Sequence, residues 1–256
     1  MNSLKRSFYV SVLTGVCLAA ASGAYAQISS INSAVITPRV YNDIPGATGT
    51  YLNSYPGSIT LGEAGVSQPT GFADRDIWQF SNDGSTAYTV GAGDTAFTAS
   101  FTLNLSPDTG TIDNEAGWLI PNANGSFPGG DMQFLAKASQ DHFIGFFGGP
   151  GFWNSGMAYT AGTPVTMTMS YWQTGATGNM QFSVNGVLVS PVQSWTGNLV
   201  GDTIGAYFQI QNDPTNPNNG AQAVFNGISI SVPEPATLAL LGLGLVPMAR
   251  LLRRRA

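Results

Sequence analysis

The sequence predicts an all-β protein, a sandwich of two antiparallel sheets. Three observations predict it. Short runs of alternating or β-branched residues recur between Gly, Asn, Asp and Pro clusters. No long stretch joins helical periodicity to end caps. The 32 glycines supply turn signals at near-regular spacing, the pattern of many short strands folded back on one another.

In chain order, strands are expected at 31–36, 58–61, 77–81, 96–105, 117–120, 132–136, 142–147, 165–172, 180–184, 187–189, 203–211 and 223–231. Turn residues punctuate the series: Asn82-Asp83-Gly84, Pro107-Asp108-Thr109-Gly110, the Gly-rich stretch 148–156, Asn185-Gly186 and Asn212-Asp213. Two elements are clearest. In 97–105, large apolar residues fall on odd numbers, which puts Phe97, Phe101, Leu103 and Leu105 on one sheet face. In 180–189, Asn185-Gly186 separates two apolar runs; both residues tolerate positive φ, so a type I′ hairpin is expected there. Trp78, Trp118 and Trp172 lie within strand runs and are expected in the core.

The run Tyr171-Trp172-Gln173, a Gly-rich turn, 180–184, Asn185-Gly186 and 187–189 resembles the core hairpin of concanavalin A-like jelly rolls, the laminin-G-like group included. The closing stretch 224–230 resembles that group's final strand. The resemblance implies a jelly-roll sandwich, with a weak link to carbohydrate or calcium. It does not imply an activity.

The two ends read as addresses. Lys5 and Arg6 precede an apolar run at 8–21, and Ala24-Tyr25-Ala26 places small residues where a signal peptidase reads them. Cleavage is expected before Gln27. Val16 ahead of Cys17 argues against a lipoprotein signal, which wants a small residue there. At the other end, 232–252 makes about 31 Å of helix at roughly 1.5 Å per residue. That matches a hydrocarbon core of about 30 Å. The arginines after it favour the cytoplasmic side.

The order of parts here, Pro233-Glu234-Pro235, a Leu/Gly-rich segment at 238–246, and Arg253-Arg254-Arg255, resembles the PEP-CTERM sorting signal. The resemblance implies recognition of Pro233, Glu234 and Pro235 by an exosortase-type membrane protease and processing near that motif. It implies an exported chain held at the inner membrane from the periplasmic side, then placed at the cell surface or outside the cell. The expected organisation is a signal peptide at 1–26, a β-sandwich at 27–231 and a sorting signal at 232–256.

Removing the ends changes the charge. Of nine basic residues, Arg39, Arg75 and Lys137 remain in 27–231, against thirteen acidic ones, a net charge of −10. Such a surface repels phosphate backbones, so nucleic acid is not an expected partner. Cys17 leaves with the signal peptide, which excludes disulfides, a thiol nucleophile and cysteine metal ligands from the body.

Few groups are left to carry chemistry. His142 is the only histidine; it opens the apolar run 143–147 and is expected to sit at a strand end. No Gly-x-Ser-x-Gly elbow, phosphate loop or dinucleotide fingerprint is present. Asp113 and Glu115, two apart, would share a strand face and offer the paired carboxylates of a glycoside hydrolase; the competing reading is an exposed turn. Asp74, Asp76 and Asp83 supply oxygens of the kind Ca²⁺ takes, although such clusters are more often turns. Trp153 on the Gly-rich stretch, with Asn154 and Asp141, offers a sugar-stacking surface unless it folds back on the core edge.

The expected role is therefore a non-catalytic module of the envelope or extracellular matrix, with exopolysaccharide as its candidate ligand. The alternatives are a carbohydrate-active enzyme of glycoside hydrolase type using Asp113 and Glu115, and a structural matrix protein without a ligand. Mass spectrometry of the exported chain is expected to find Gln27 first and the Arg253-Arg254-Arg255 end missing. One molecule with both ends intact would overturn this reading of the termini.

Overall fold

The computed structural model describes residues 27–41, 44–107, 109, 112–122, 125, 130–138, 141–148 and 152–232. The signal peptide expected at 1–26 and the sorting elements Pro233, Glu234, Pro235, Arg253, Arg254 and Arg255 lie outside the described residues. After a 3-10 turn (Gln27–Ser30) come β1 (Ser33–Tyr41), β2 (Thr48–Ser54), β3 (Ser58–Ala64), β4 (Ala73–Ser81), β5 (Ala96–Leu105), β6 (Asn114–Ile120), β7 (Met132–Lys137), β8 (Phe143–Phe147), β9 (Trp153–Ala158), β10 (Val165–Thr174), β11 (Thr177–Val184), β12 (Val187–Leu188), β13 (Gln193–Thr196), β14 (Gly205–Gln211) and β15 (Gly220–Ser231). Among the described residues no helix is long and apolar enough to cross a membrane.

These strands form the expected all-β, two-sheet antiparallel sandwich of jelly-roll type. One sheet has the order β1-β4-β14-β6-β7-β8-β9; the other runs β12-β11-β10-β5-β15-β3-β2, with β13 beside β11. The alternation read in 97–105 is the observed one: Phe97, Ala99, Phe101, Leu103 and Leu105 all point between the sheets. The Asn185-Gly186 hairpin also forms, with φ of 50° and 79° and Val184 opposite Val187.

In the seven-stranded sheet, period two sorts the side chains by parity. Even-numbered Trp78, Phe80, Trp118, Phe134, Phe146 and Phe208 are fully buried. They meet the facing sheet in aromatic pairs: Trp118 with Phe101 at 4.3 Å, Phe134 with Phe182 at 4.5 Å and Trp78 with Phe225 at 5.7 Å between ring centres. Such pairs add roughly 0.5–1.5 kcal/mol each beyond area burial. Odd-numbered Arg75, Glu115, Gln133, Lys137, Tyr207 and Gln209 therefore stand on the outer face of the same sheet.

Several expectations need correction. Trp78 and Trp118 are core, but Trp172 is only partly buried, because Tyr171 takes the inward position of β10. Strands β2, β9 and β13 were not expected. β2 and β9 are sheet edges and β13 lies off the main strand path, places where a strand needs little apolar alternation. The stretch 148–156, expected as a loop, turns into β9 at Trp153.

The two sheets are clasped at one edge by a charged cluster. β1 shifts register between Thr37 and Tyr41, and within that shift Arg39 adopts φ of 53°. The bulge turns the Arg39 side chain onto Glu63 of β3, with two N–H···O contacts of 3.1 Å, while its backbone N–H donates to Asp76 of β4 at 2.9 Å. Tyr51 of β2 donates a short bond to the same Glu63 carboxylate. Burial, with Glu63 and Asp74 nearby, raises Asp76 from 3.8 to about 7, although the Arg39 N–H opposes this.

The ends of the sandwich differ in what they carry. β5 leaves from Leu105 toward β6, where the Asn114 amide donates to the Ser106 carbonyl at 2.9 Å. β15 finishes at the other end of β5, with Ser231 opposite Thr98.

A carboxyl that is more basic folded than unfolded stabilises the fold most where it is protonated. Stability from Asp76 is thus present below about pH 4 and is lost as pH rises through about 7, by up to about 4 kcal/mol. Asp76→Asn keeps the acceptor for Arg39 and removes the charge. Urea denaturation is expected to show a variant more stable than the parent above pH 7, with a flatter slope between pH 4 and 7.

Candidate functional site

The outer face of the seven-stranded sheet, toward the Asn114 end of β6, holds a cleft of about 310 Å³. Its floor is polar and comes from four strands: Arg75 on β4, Gln209 on β14, Glu115 on β6, and Gln133 and Lys137 on β7. Its walls are aromatic: Phe72 on one side, and Phe143, Phe147 and Phe152 on the other. Phe147 and Phe152 are 54% and 61% exposed and touch each other edge to face. Exposed rings beside converging polar groups are the usual form of a sugar-binding cleft.

Tyr207 lies beneath the floor, fully buried. Its hydroxyl is 3.0 Å from Glu115 Oε1 and 3.1 Å from Gln133 Oε1. Gln209 Nε2 donates to the same Glu115 oxygen at 3.2 Å, and Arg75 Nε donates to Gln209 Oε1 at 2.8 Å. The Arg75 guanidinium lies over two rings, 5.0 Å from the Tyr207 centre and 5.3 Å from that of Tyr41. Burial raises the Glu115 carboxyl above its ordinary range, and Asp113 adds to this; Tyr207, Lys137 and Arg75 pull the other way without cancelling it. Burial, then the Glu115 charge, holds the Tyr207 hydroxyl well above the ordinary phenol range.

Lys137 closes the floor on one side. Its ammonium donates to Asp113 Oδ2 at 2.8 Å and to Asp141 Oδ2 at 3.0 Å. Burial alone would lower Lys137; these two carboxylates more than offset it and leave the ammonium raised. Two of the three basic residues of 27–231, Arg75 and Lys137, thus line one cleft in an acidic body. Among the described residues no carboxylate forms an ion pair with Arg75.

The structure distributes the sequence candidates unevenly. Asp113 and Glu115 both line the cleft, but Asp113 is tied to Lys137 while Glu115 faces Tyr207 and Gln209. Asp141 reaches the rim through Lys137. Trp153 packs against the core from the start of β9 and is not part of the cleft lining. Asn154 is exposed, its side-chain oxygen taken by the Gly156 N–H at 2.8 Å.

The proposed ion site does not assemble. Asp74 and Asp76 point inward with Trp78, at the opposite end of β4 from Asp83. Asp83 accepts the Ser85 and Thr86 N–H groups in a turn, which lower its carboxyl. Among the described residues no three His, Cys, Asp or Glu side chains group as metal ligands. His142 is exposed, at φ of 47°, just before β8.

Arg75, Gln133, Lys137, Tyr207 and Gln209 were not singled out from the sequence. A usable signal existed: polar side chains on the parity opposite to the buried aromatics of their own strands.

Residues 231–255 match the PEP-CTERM protein-sorting motif, which marks a secreted chain held at a membrane before exosortase processing. No curated protein sequence matches the chain. Similar solved structures include an alginate lyase from Pseudomonas aeruginosa, 14% identical, covering 72% of this chain and 86% of that one with a TM-score of 0.50. Others are alginate lyases from Corynebacterium sp. (12% identity, 72% and 81% coverage, TM-score 0.49) and Klebsiella pneumoniae (11%, 72% and 84%, 0.44). The expectation of a non-catalytic module is contradicted by the likeness to the Pseudomonas aeruginosa structure, that of an alginate lyase.

The Lys137 bridge generates a stability prediction. Asp113 Oδ1 is buried without a hydrogen-bond partner, so Lys137 alone compensates that carboxylate. Lys137→Met is expected to cost about 2–3 kcal/mol in urea denaturation. Adding Asp113→Asn should recover part of the loss.

Proposed function

We propose that the chain is an exported enzyme that cleaves the glycosidic bonds of an acidic polysaccharide in this cleft. The observation that carries the reading is Glu115: a carboxyl held above its ordinary range, at the floor of an aromatic-walled cleft, beside a guanidinium with no described carboxylate partner. Breaking a glycosidic bond, by hydrolysis or by elimination, requires a proton on the departing oxygen. Glu115 is the donor best placed and best tuned for that step. Arg75 receives a sugar carboxylate, with planar donors suited to that group. The exposed rings of Phe147 and Phe152 stack on neighbouring sugars. Similarity to the alginate lyase of Pseudomonas aeruginosa supports a polyuronate as substrate class.

Asp113 is less suited to a hydrolase pair, since Lys137 holds it. On the same reading the body spans 27–231, and the segment 232–256 is removed by an exosortase that reads Pro233, Glu234 and Pro235, a step supported by the motif match. The secreted polysaccharide of the producing cell is the natural partner.

The test is chain cleavage. The exported protein is incubated with alginate and with a neutral glucan, and reducing ends and ultraviolet absorbance of unsaturated products are followed together. New reducing ends from alginate are expected, with absorbance reporting elimination and its absence reporting hydrolysis. Glu115→Gln should lose about 100-fold or more in kcat. Arg75→Ala should raise KM for the acidic polymer. Activity of the parent should fall as pH rises and Glu115 gives up its proton. No cleavage of acidic polymers, or a fully active Glu115→Gln, would overturn the assignment.

A further inference from the structure

We propose that Glu115 is kept protonated by a relay in which its carboxyl donates to the Tyr207 hydroxyl and that hydroxyl donates to Gln133. The relay deepens the reading above, and rests on it, by assigning Tyr207 and Gln133 as positioning residues: in the resting chain it holds the proton on Glu115, and when that proton passes to the departing oxygen the Tyr207 hydroxyl turns its own from Gln133 to the new carboxylate.

The hydrogens around Tyr207 can be counted. A phenol has one proton to give. Tyr207 faces two oxygens at hydrogen-bonding distance, Glu115 Oε1 at 3.0 Å and Gln133 Oε1 at 3.1 Å. The hydroxyl is fully buried, and these two oxygens are its partners among the described residues. With Glu115 ionised and Gln133 so oriented, one of the two contacts is lone pair against lone pair. With Glu115 protonated, both are hydrogen bonds running in one direction.

The orientation of Gln209 is settled by chemistry. Arg75 Nε is purely a donor, so the Gln209 atom it meets at 2.8 Å is the oxygen. Its amide nitrogen therefore faces Glu115 at 3.2 Å. The charges around Glu115 are Arg75 from β4, Lys137 from β7 and Asp113 just before its own strand, with Asp141 beyond Lys137. The two cations favour the carboxylate, but Lys137 is already spent on two acids. Burial and Asp113 favour the neutral acid, and they leave the carboxyl raised above its ordinary range. The rival arrangement turns the Gln133 amide over, so that its nitrogen donates to Tyr207 and the phenol donates to an ionised Glu115.

Infrared titration of the full chain decides between them, with Glu115→Gln identifying the signal. A protonated carboxyl band is expected at pH 7, present in the parent and missing from Glu115→Gln. In Gln133→Leu the phenol proton is released to Glu115, so the midpoint of that band should fall by about one pH unit. A parent chain without the band at pH 7 overturns the relay, even if the Leu variant does not fold. A midpoint that stays or rises in a folded Gln133→Leu overturns it too, since that is the result for a Gln133 that donates. Polymer cleavage by a chain whose Glu115 is ionised would remove the relay and leave the enzyme standing. A protonated Glu115 in a chain that cleaves nothing would do the reverse.

Discussion

The aromatic seam between the sheets is the interaction on which the rest depends. Trp78 and Trp118 from one sheet lock against Phe101 and Phe225 from the other. Once these rings occupy even positions of β4 and β6, period two leaves the odd positions no choice but the outer face. A slip of one residue in β6 would bury Glu115 among rings and expose Trp118. The cleft is in this sense a by-product of the core: the same register that buries the tryptophans lines up Arg75, Gln209, Glu115 and Gln133 across four neighbouring strands.

Scarcity of positive charge shapes the rest. The body carries three cations, and two of them are placed where buried or half-buried acids need one. Arg39 answers Glu63 at the clasped edge. Lys137 answers Asp113 and Asp141 at the cleft. Arg75 differs, being held by two aromatic rings and an amide. Guanidinium stacking holds the group in position without using up its charge, which leaves that charge for a ligand. Where cations run out, as at Asp76, the protein relies on a raised affinity for protons instead.

Much of the architecture was readable because it is local. The alternation in β5 and the positive-φ pair Asn185-Gly186 need only neighbours in sequence, and both form as expected. Edge strands such as β2 and β9 were not readable, since an edge requires no apolar face. The site was half readable. The spacing of Asp113 and Glu115 offered a shared face, and both line the cleft, yet their different partners come from residues far along the chain: Tyr207 lies 92 positions from Glu115. Asp74 and Asp76, read as oxygens for an ion, share the inward face of β4. The clue was their shared parity with Trp78 and Phe80. Trp153 suggested a sugar platform because glycines surround it; the chain instead uses it to seal the edge of the core.

The cleft gathers where β5 hands over to β6, and β15 runs out beside Thr98 at the far pole. Ser231 therefore leaves the sandwich at the end away from the Asn114 end of β6, the end toward which the cleft lies on the outer face of its sheet. Held from that end, the body would turn the cleft away from whatever holds it, toward the open side where a long polymer can approach.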